Sequence, residues 1–150
     1  MDKEIRLLRV YPSELEALKE YIVALYAHDE DFDSMVHIDE GVKSMLRHES
    51  LATSYFIQLG NDRIGYTILT RYHSVEKGGL TIYIDELYVE DTFRRHGVGK
   101  KIMAKIFELA RIEGARALWA QAEPYNNAAK AFFESQGFRV NPYVNFEREL

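Results

Sequence analysis

The sequence predicts an α/β fold, because strand-type and helix-type hydrophobic patterns alternate along one chain. The observations behind this are a β-rich middle at residues 52–89, an amphipathic helical pattern that begins at Val98, and short apolar runs on both sides. The predicted order is β-α-α-β-β-β-α-β-α-β-β, with a parallel crossover around the helix at residues 99–113. No repeat or Pro/Gly/Ser linker divides the 150 residues, so we expect a single domain over residues 1–150.

The N-terminal part predicts a strand followed by two helices. Residues 5–10 have a strand pattern that ends before Pro12. Ser13, with Glu16 three residues later, has the form of a capping box, and the apolar residues after it repeat at helical spacing. We expect Asp39 to be the N-cap of the second helix.

The rest of the chain predicts a three-stranded meander and then alternating helices and strands. A Gly-Asn-Asp turn at residues 60–62 separates strands at 52–59 and 63–72, and a second turn leads to a strand at 80–89. Gly114 and Gly137 stand where glycines commonly end helices. The remaining predicted elements are helices from residue 98 to 114 and at 126–136, and strands at 115–122, 138–140 and 144–148.

Composition excludes several classes of protein. The 24 acidic and 19 basic residues give a net charge of −5, which argues against binding to nucleic acid or an anionic membrane and leaves room for a cationic ligand. The absence of Cys excludes disulfides, thiolate zinc ligands and a cysteine nucleophile, and the five histidines lack an H-x-x-x-H pairing for a metal. The longest apolar run, residues 21–27, is far shorter than the roughly 20 residues of a membrane span. The N-terminus also lacks a signal-peptide pattern, so we expect a soluble, cytoplasmic protein.

The segment after the meander has the form of an anion site. Arg94, Arg95 and Lys100 surround a turn that contains Gly97 and Gly99, and the amphipathic helix follows at once. The first amides of a helix lack intrahelical partners and lie at the positive end of its dipole, while glycines let a phosphate approach the backbone. The other interpretation is a glycine-containing turn whose basic residues are exposed to solvent and bind no anion. The patterns G-x-x-x-x-G-K-S/T and G-x-G-x-x-G are both absent.

The third strand of the meander changes its apolar parity partway along. Ile82 and Ile84 share one face, whereas Leu87 and Val89 would fall on the other face of a regular strand. A continuous apolar face needs one inserted residue, which predicts a β-bulge near residues 85–86. A strand buried on both faces would explain the same residues without a bulge.

Two motifs resemble the signatures of the GNAT superfamily of acyl-CoA-dependent N-acetyltransferases. Arg94-x-x-Gly97-x-Gly99 matches Q/R-x-x-G-x-G/A, and Leu87-x-Val89 before it is similar to the splayed fourth strand of that family. A second motif is similar to N-x-x-A-x-x-L/F-Y-x-x-x-G-F and consists of Asn126, Ala129, Phe132, Phe133, Gly137 and Phe138. The resemblance implies a mixed, mostly antiparallel central sheet with splayed fourth and fifth strands and helices on both faces. It also implies acetyl-CoA as co-substrate and no metal.

The same resemblance implies which residues bind coenzyme A. Backbone groups of Leu87 and Val89 would hydrogen-bond the pantetheine arm like an added strand, with the Val89 amide near the thioester oxygen. The amides that would cradle the pyrophosphate are those of Arg94, Arg95, His96, Gly97, Val98, Gly99 and Lys100. The other positions of the site are Tyr88, Asn126, Ala129, Phe132 and Phe133, of which Asn126 would bind pantetheine and the two phenylalanines would wall its tunnel.

In the expected reaction an unprotonated amine attacks the thioester directly and a carboxylate takes the proton, with or without a water between them. Glu86 is the first candidate for this base, because it lies at the predicted bulge and faces away from the apolar side; it stands ahead of Asp85, Glu123 and Tyr125. The alternative is that Glu86 is an ordinary acidic residue on a solvent-exposed face of the strand, without a catalytic role. Glu86, Val89 and Tyr125 form the candidate catalytic set.

Phe133 departs from the family pattern, which usually has a Tyr that protonates the departing thiolate. An unperturbed thiol has a pKa of about 8.5, so the thiolate is a tolerable leaving group. Transfer could therefore proceed without an acid, with water as donor, or with Tyr125 or Tyr88 in that role. The alternative is a domain that binds acyl-CoA without turnover, as a sensor or interaction module.

The expected acceptor is a small cationic amine. Residues 121–129 resemble a run of aminoglycoside 3-N-acetyltransferases, with Asn126 and Asn127 in place of paired acids. The acids Asp29, Glu30, Asp31 and Asp33 lie where the family usually builds its acceptor mouth and would attract a cation, although a solvated acidic loop is the alternative. A polyamine or an aminoglycoside is therefore the expected partner, and homodimers are common in the family.

Overall fold

A computed structural model describes residues 2–28 and 35–150. They form a five-stranded sheet in which β1 to β4 pair antiparallel in sequence order and β5 pairs parallel to β4. This confirms the predicted mixed, mostly antiparallel sheet. The elements are β1 Ile5–Arg9, α1 Leu15–Tyr26, α2 Ile38–Arg47, β2 Ala52–Leu59, β3 Asp62–Ser74, β4 Gly79–Val89, α3 Val98–Ile112, β5 Ala117–Ala120 and α4 Asn127–Ser135.

Helices cover both faces of this sheet, as predicted. On one face α3 packs Val98, Ile102, Met103, Ile106 and Ala110 against the sheet, and Phe132 and Phe133 of α4 join the same cluster. On the other face α1 and α2 bury Leu18, Ile22 and Val42 against Phe56, Tyr66 and Ile68. Among the described helices, none combines the length and apolarity that a membrane crossing needs.

The predicted bulge in β4 is present at Asp85. Ile68 of β3 lies opposite Glu86 and Leu69 lies opposite Ile84, so Asp85 has no partner in the ladder. Beyond the extra residue, Leu87 and Val89 pack on the same cluster as Ile84. The inserted residue therefore keeps one apolar face continuous along the strand.

The fourth and fifth strands diverge at the same level. Their parallel pairing runs from Thr81 opposite Ala117 to Ile84 opposite Ala120, and β5 ends there. β4 continues to Val89, and over this part β3 is its one neighbour strand among the described residues. The expected splay is thus present, and it leaves one edge of β4 open from the bulge onward.

The helix starts differ from the sequence prediction. A 3-10 turn at Pro12–Glu14 precedes α1, and Tyr11 N donates to Glu14 Oε1 over 3.1 Å, so the expected Ser13–Glu16 capping box is wrong. Asp39 lies inside the first turn of α2 and makes no cap. Its carboxylate instead accepts from Lys19 of α1 and Lys43, which lowers the pKa of Asp39 to about 2. Asp39 therefore links α2 to α1.

The two final strands, predicted at 138–140 and 144–148, are also absent, since no described residue after Ser135 lies in a helix or strand. Residues 139–150 are all exposed, and no described strand runs beside them. A segment with an alternating apolar pattern forms a strand only where a neighbouring strand can pair with its backbone N–H and C=O groups.

Gly65 permits the close approach of β3 to the open part of β4. A Cβ at this position would lie 2.0 Å from Tyr88 O and 3.0 Å from Val89 Cα, which is too close for any side chain. Gly65 lies opposite Val89 in the ladder. Because Gly65 has no side chain, β3 can lie this close to β4 at the level where the edge of β4 is open.

We expect Gly65→Ala to destabilise the protein by about 1–3 kcal/mol, the cost of overpacking a site that must shift backbone. Urea denaturation measures this. Gly41→Ala is the matched control: a Cβ there meets no heavy atom within 4 Å, and alanine favours a helix over glycine by about 1 kcal/mol. Equal stability of Gly65→Ala and wild type would contradict the steric argument.

Candidate functional site

The open edge of β4 presents backbone groups that have no partner strand among the described residues. Glu90 N donates to Ile64 O of β3 over 2.8 Å. Successive residues of a strand direct their N–H and C=O groups to opposite sides, so those of Leu87 and Val89 point away from β3. They face the side from which β5 has diverged. This edge can accept an extended ligand as though it were an added strand.

The N-terminus of α3 offers a second set of free donors next to this edge. The first helical bond runs from Lys101 N to Gly97 O at 3.4 Å, so the amides of Val98, Gly99 and Lys100 precede the ladder. Gly97 has φ 72° and Arg95 has φ 70°, and this left-handed geometry bends the chain into the helix. Free amides at the positive end of a fifteen-residue helix suit a phosphate.

Arg94 differs from the other residues of this turn. Its backbone N–H donates to Asp91 O at 3.2 Å, so it does not belong to the free amides that the resemblance implied. Its Nε donates to Val89 O at 2.7 Å, and its guanidinium lies 5.6 Å from the centre of the Tyr88 ring. Arg94 therefore ties the turn to the end of β4, while Arg95, His96 and Lys100 are exposed around it.

Aromatic side chains from α4 border the same region. A Cβ on Gly99 would lie 3.0 Å from Phe132 Cε2, so only glycine lets α3 and this ring approach so closely. Phe133 turns inward, with its ring 5.3 Å from that of Phe138. Phe132 thus borders the N-terminal turn of α3, and Phe133 supports it from the core side.

Asn126 lies at the N-terminus of α4 as its cap. Its Oδ1 accepts from Ala129 N at 3.1 Å. The carbonyl side of the amide is therefore used by the helix. The Nδ2 group is the donor that Asn126 has left for a ligand.

Glu86 is held by tyrosines from two elements. Tyr66 of β3 donates its hydroxyl to Glu86 Oε1 over 2.8 Å, and Tyr26 of α1 donates to Oε2. The backbone carbonyl of Glu86 accepts from Thr67 Oγ1 at 2.8 Å. The carboxylate directly after the bulge therefore has a defined position, facing the side of the sheet that α1 and α2 cover.

The electrostatics of this cluster favour the protonated form of the tyrosine phenols. Burial, and next the charge of Glu86, raises the pKa of Tyr66 well above its ordinary value. Burial and a 2.6 Å hydrogen bond to Glu90 likewise raise the pKa of Tyr21. Both hydroxyls therefore keep their protons near neutral pH and can donate to the neighbouring carboxylates.

The other candidate acids and donors lie in different surroundings. Asp85 is exposed at the bulge, although partial desolvation raises the pKa of its carboxyl. Glu123 and Tyr125 are exposed on the segment between β5 and α4. The Tyr88 ring packs at a tilt against aromatic neighbours, and its centre lies 5.8 Å from that of the Tyr21 ring. Glu86 is therefore the candidate carboxylate with the firmest position.

The structure brings together most of the residues that the sequence singled out. Glu86, Leu87 and Val89 follow one another along the open edge, and the α3 turn lies at its end. Sequence reasoning missed Tyr26, Tyr66 and Gly65, because their roles depend on strand register and on where α1 crosses the sheet. The acids at 29–33 lie outside the described residues. Within residues 2–28 and 35–150, no group of three or more His, Cys, Asp or Glu side chains could hold a metal.

Solved structures share this architecture over nearly the whole chain. A protein described as "a possible acetyltransferase from Clostridium difficile 630" has a TM-score of 0.81 at 21% identity, and 98% of each chain is covered. The aminoglycoside N-acetyltransferase AAC(6')-Iy in complex with CoA has a TM-score of 0.72 at 17% identity, covering 99% of this chain and 97% of that one. At such low identity these similarities establish the fold alone.

A sequence relative covers a shorter stretch. Thialysine N-epsilon-acetyltransferase of Bos taurus is 30% identical over 74 residues, which are 49% of this chain and 43% of that protein. The match therefore spans less than half the length of that relative.

The family model described as "Acetyltransferase (GNAT) family" matches residues 15–138, which include both sequence motifs, the bulged strand and the α3 turn. The fold and the match together confirm the resemblance seen in the sequence. The chain belongs to the GNAT family of acetyltransferases, enzymes that use acetyl-CoA as the acetyl donor.

Proposed function

We propose that this protein is one N-acetyltransferase domain that transfers the acetyl group of acetyl-CoA directly to a primary amine of a small cationic acceptor. The observation that carries the proposal is the placement of Glu86 at the start of an open strand edge that ends at the α3 turn. Anion-binding amides, an edge for an extended chain and a positioned carboxylate follow one another within residues 86–100.

The residues at this edge fit coenzyme A by the chemistry of its parts. The free amides of Val98, Gly99 and Lys100 suit the pyrophosphate, and exposed basic side chains lie around the turn. The backbone groups of Leu87 and Val89 suit the amide-rich pantetheine arm. Acetyl-CoA supplies an activated thioester acyl group to the reaction.

In the proposed reaction, Glu86 takes the proton of the attacking amine, directly or through one water. Two tyrosine donors hold this carboxylate in a fixed orientation. The Val89 amide donates to the thioester oxygen; a single donor of this kind is worth about 2.7–4 kcal/mol in enzymes where one has been removed. The new bond joins the acceptor nitrogen to the acyl carbon while the carbon–sulfur bond breaks. CoA leaves as a thiolate, which then takes a proton from water, Tyr125 or Tyr88.

A cationic acceptor is supported by the charge around the base. Glu86 and Glu90 both lie on the side of β4 that faces α1, and the chain carries a net charge of −5. Relatives bear the names of a thialysine and an aminoglycoside acetyltransferase. Polyamines and aminoglycosides are therefore the acceptors that we propose, including aminoglycosides that accept the acetyl group at the 3-amino position, as the resemblance of residues 121–129 suggests.

A domain that binds acyl-CoA without turnover is the second candidate, and Phe133 is the observation that favours it. Its ring packs against Phe138 and has no hydroxyl to protonate a thiolate. A thiol-release assay across polyamines, aminoglycosides, amino acids and N-terminal peptides separates the two functions. Release that depends on a cationic amine supports the transferase, and CoA binding without release for any amine supports the sensor.

We expect Gly97→Val to weaken binding of acetyl-CoA by at least about tenfold, or about 1.4 kcal/mol. The side chain would project into open space at the N-terminus of α3, where no heavy atom lies within 4 Å, and would block a phosphate. Calorimetry measures the affinity. Gly114→Val is the matched control, because it adds the same side chain at φ 80° in open space at the other end of α3.

Both variants carry the roughly 1–2 kcal/mol strain of a left-handed residue with a side chain, so thermal melts should fall by similar amounts. Only Gly97→Val should lose affinity. Equal affinities in the two variants would exclude the turn as the phosphate site.

We expect Glu86→Gln to lower kcat by about 10²–10⁴-fold and to remove the acidic limb of the pH profile, because a general base works only when deprotonated. Steady-state kinetics between acidic and neutral pH measure both effects. Asp85→Asn is the control, since it neutralises the adjacent exposed carboxyl. This variant should retain the acidic limb of the pH profile. A Gln variant with normal turnover at pH 7 would eliminate Glu86 as the base.

We expect the wild-type enzyme to turn over despite Phe133, and Tyr125→Phe or Tyr88→Phe to reveal a substitute proton donor. A fall in kcat of tenfold or more, about 1.4 kcal/mol, in one of them would identify the donor. Normal rates in both would point to water. No turnover by wild type together with a large gain in Phe133→Tyr would support the sensor instead.

A further inference from the structure

Aromatic side chains lie on the sheet face that carries Glu86. In the pairing of β3 with β4, Glu86 is opposite Ile68, and Tyr83 is opposite Thr70, two residues farther along β3. Residues two apart in a strand share a face, and so do residues directly opposite each other. Trp119 of β5 lies opposite Tyr83. Tyr83 and Trp119 therefore stand on the same face of the sheet as the proposed base.

Tyr72 of β3 brings a third ring to this place. It follows Thr70 by two residues, and its ring centre lies 6.1 Å from that of Trp119, with the two rings at 83°. Tyr72 is 40% exposed, and the other two side chains are half-buried. The aromatic corner consists of Tyr72, Tyr83 and Trp119. The faces of such rings attract an organic cation, and those of Trp do so most strongly.

The hydroxyl of Tyr83 is a buried polar group within the aromatic corner. No hydrogen-bond partner for this oxygen exists among the described residues. Burial, and next the nearby Asp85 and Tyr72, raises the pKa of Tyr83 to about 12, so the phenol is neutral near pH 7. A buried polar group without a partner costs about 1–3 kcal/mol. A ligand with N–H donors would remove that cost.

Asp85 adds negative charge beside the aromatic corner. It occupies the bulge and follows Tyr83 by two residues. Desolvation raises the pKa of its carboxyl, and no cation in the described part of the chain offsets this. Glu76 is the acid near the Tyr72 ring, and Lys77 lies 3.6 Å from its carboxylate as a counterion. A partly desolvated carboxylate without a counterion, such as that of Asp85, favours a cationic ligand.

We propose that the aromatic corner and Asp85 bind a second cationic nitrogen of the acceptor, while Glu86 receives the amino group that is acetylated. The inference rests on the proposed function and narrows its acceptor to a linear amine with two cationic nitrogens. An ammonium group has three N–H donors. It would donate to the Asp85 carboxylate and to the Tyr83 hydroxyl oxygen, and it would lie against the ring faces.

The spacing of the two sites predicts selectivity by chain length. Glu86 is three residues after Tyr83, and a strand rises about 3.3 Å per residue, so roughly 10 Å separates them. A short diamine cannot reach both places, and a linear monoamine reaches the base but leaves the aromatic corner empty. Among the acceptors proposed above, linear polyamines fit this spacing. The charge of Asp85 then acts on KM for a diamine, whereas the acidic limb of kcat belongs to Glu86.

Tryptophan fluorescence tests the site without turnover, because Trp119 is the single Trp of the chain. Linear α,ω-diamines of increasing length, each paired with the monoamine of the same length, are titrated into the protein with and without CoA. We expect a saturable change in emission with the longer diamines, and a Kd at least about tenfold higher for the matched monoamines. Emission that responds to no diamine would overturn the proposal, whether or not the protein transfers acetyl groups.

Steady-state kinetics with the same amines separate this site from the base. We expect KM of the best diamine to be at least about tenfold below that of its matched monoamine, at similar kcat. Equal KM values, in a protein that acetylates both amines, would overturn the second site and leave the proposed function standing. No acetylation of any amine, together with the fluorescence response to diamines, would overturn the proposed function instead.

Two variants test the named side chains. We expect Trp119→Leu to abolish the advantage of the diamine over its matched monoamine, and Tyr83→Phe to reduce it at least about threefold. Tyr83→Phe keeps the ring and removes a hydroxyl without a described partner, so it tests the site even where Trp119→Leu lowers stability. Tyr143→Phe is the matched control, because it removes the hydroxyl of an exposed Tyr outside the aromatic corner. An unchanged advantage in both variants would contradict the proposal.

Discussion

The bulge at Asp85 is the constraint on which the site depends. One extra residue in β4 keeps Ile84, Leu87 and Val89 on the same apolar face. The pairing of β5 with β4 ends at the same level. A regular strand would turn Leu87 and Val89 to the opposite face, and continued pairing with β5 would use the backbone groups of the edge. The same residue therefore preserves the core and marks the level at which the edge of β4 becomes open.

The two faces of the sheet contribute different parts of the site. The face that α3 and α4 cover supplies the anion turn and Phe132, whereas the face that α1 covers supplies the tyrosines around Glu86. Arg94 joins the turn to the end of β4 through Val89 O. Because α1, β3 and β4 all position Glu86, changes in distant parts of the chain can affect the carboxylate without touching a ligand.

The sequence predicted local features well and long-range partners poorly. The parity change in β4 indicated the bulge, and Gly97 and Gly114 indicated the ends of α3, because each signal lies within a few residues. The tyrosine that reaches Glu86 from α1 is 60 residues away, and nothing local identifies it. The strand predicted at residues 144–148 has the right alternation but no partner strand among the described residues. An alternating pattern specifies which side chains share a face and does not specify what covers that face.

Amide hydrogen exchange, followed by NMR with and without saturating acetyl-CoA, tests whether acetyl-CoA binds along the open edge of β4. Leu87 and Val89 direct their N–H groups to the open edge, whereas the N–H of Tyr88 points to β3. We expect exchange at Leu87 and Val89 to slow strongly on binding, with little change at Tyr88. Unchanged exchange at Leu87 and Val89 under saturation would contradict the binding of acetyl-CoA along this edge.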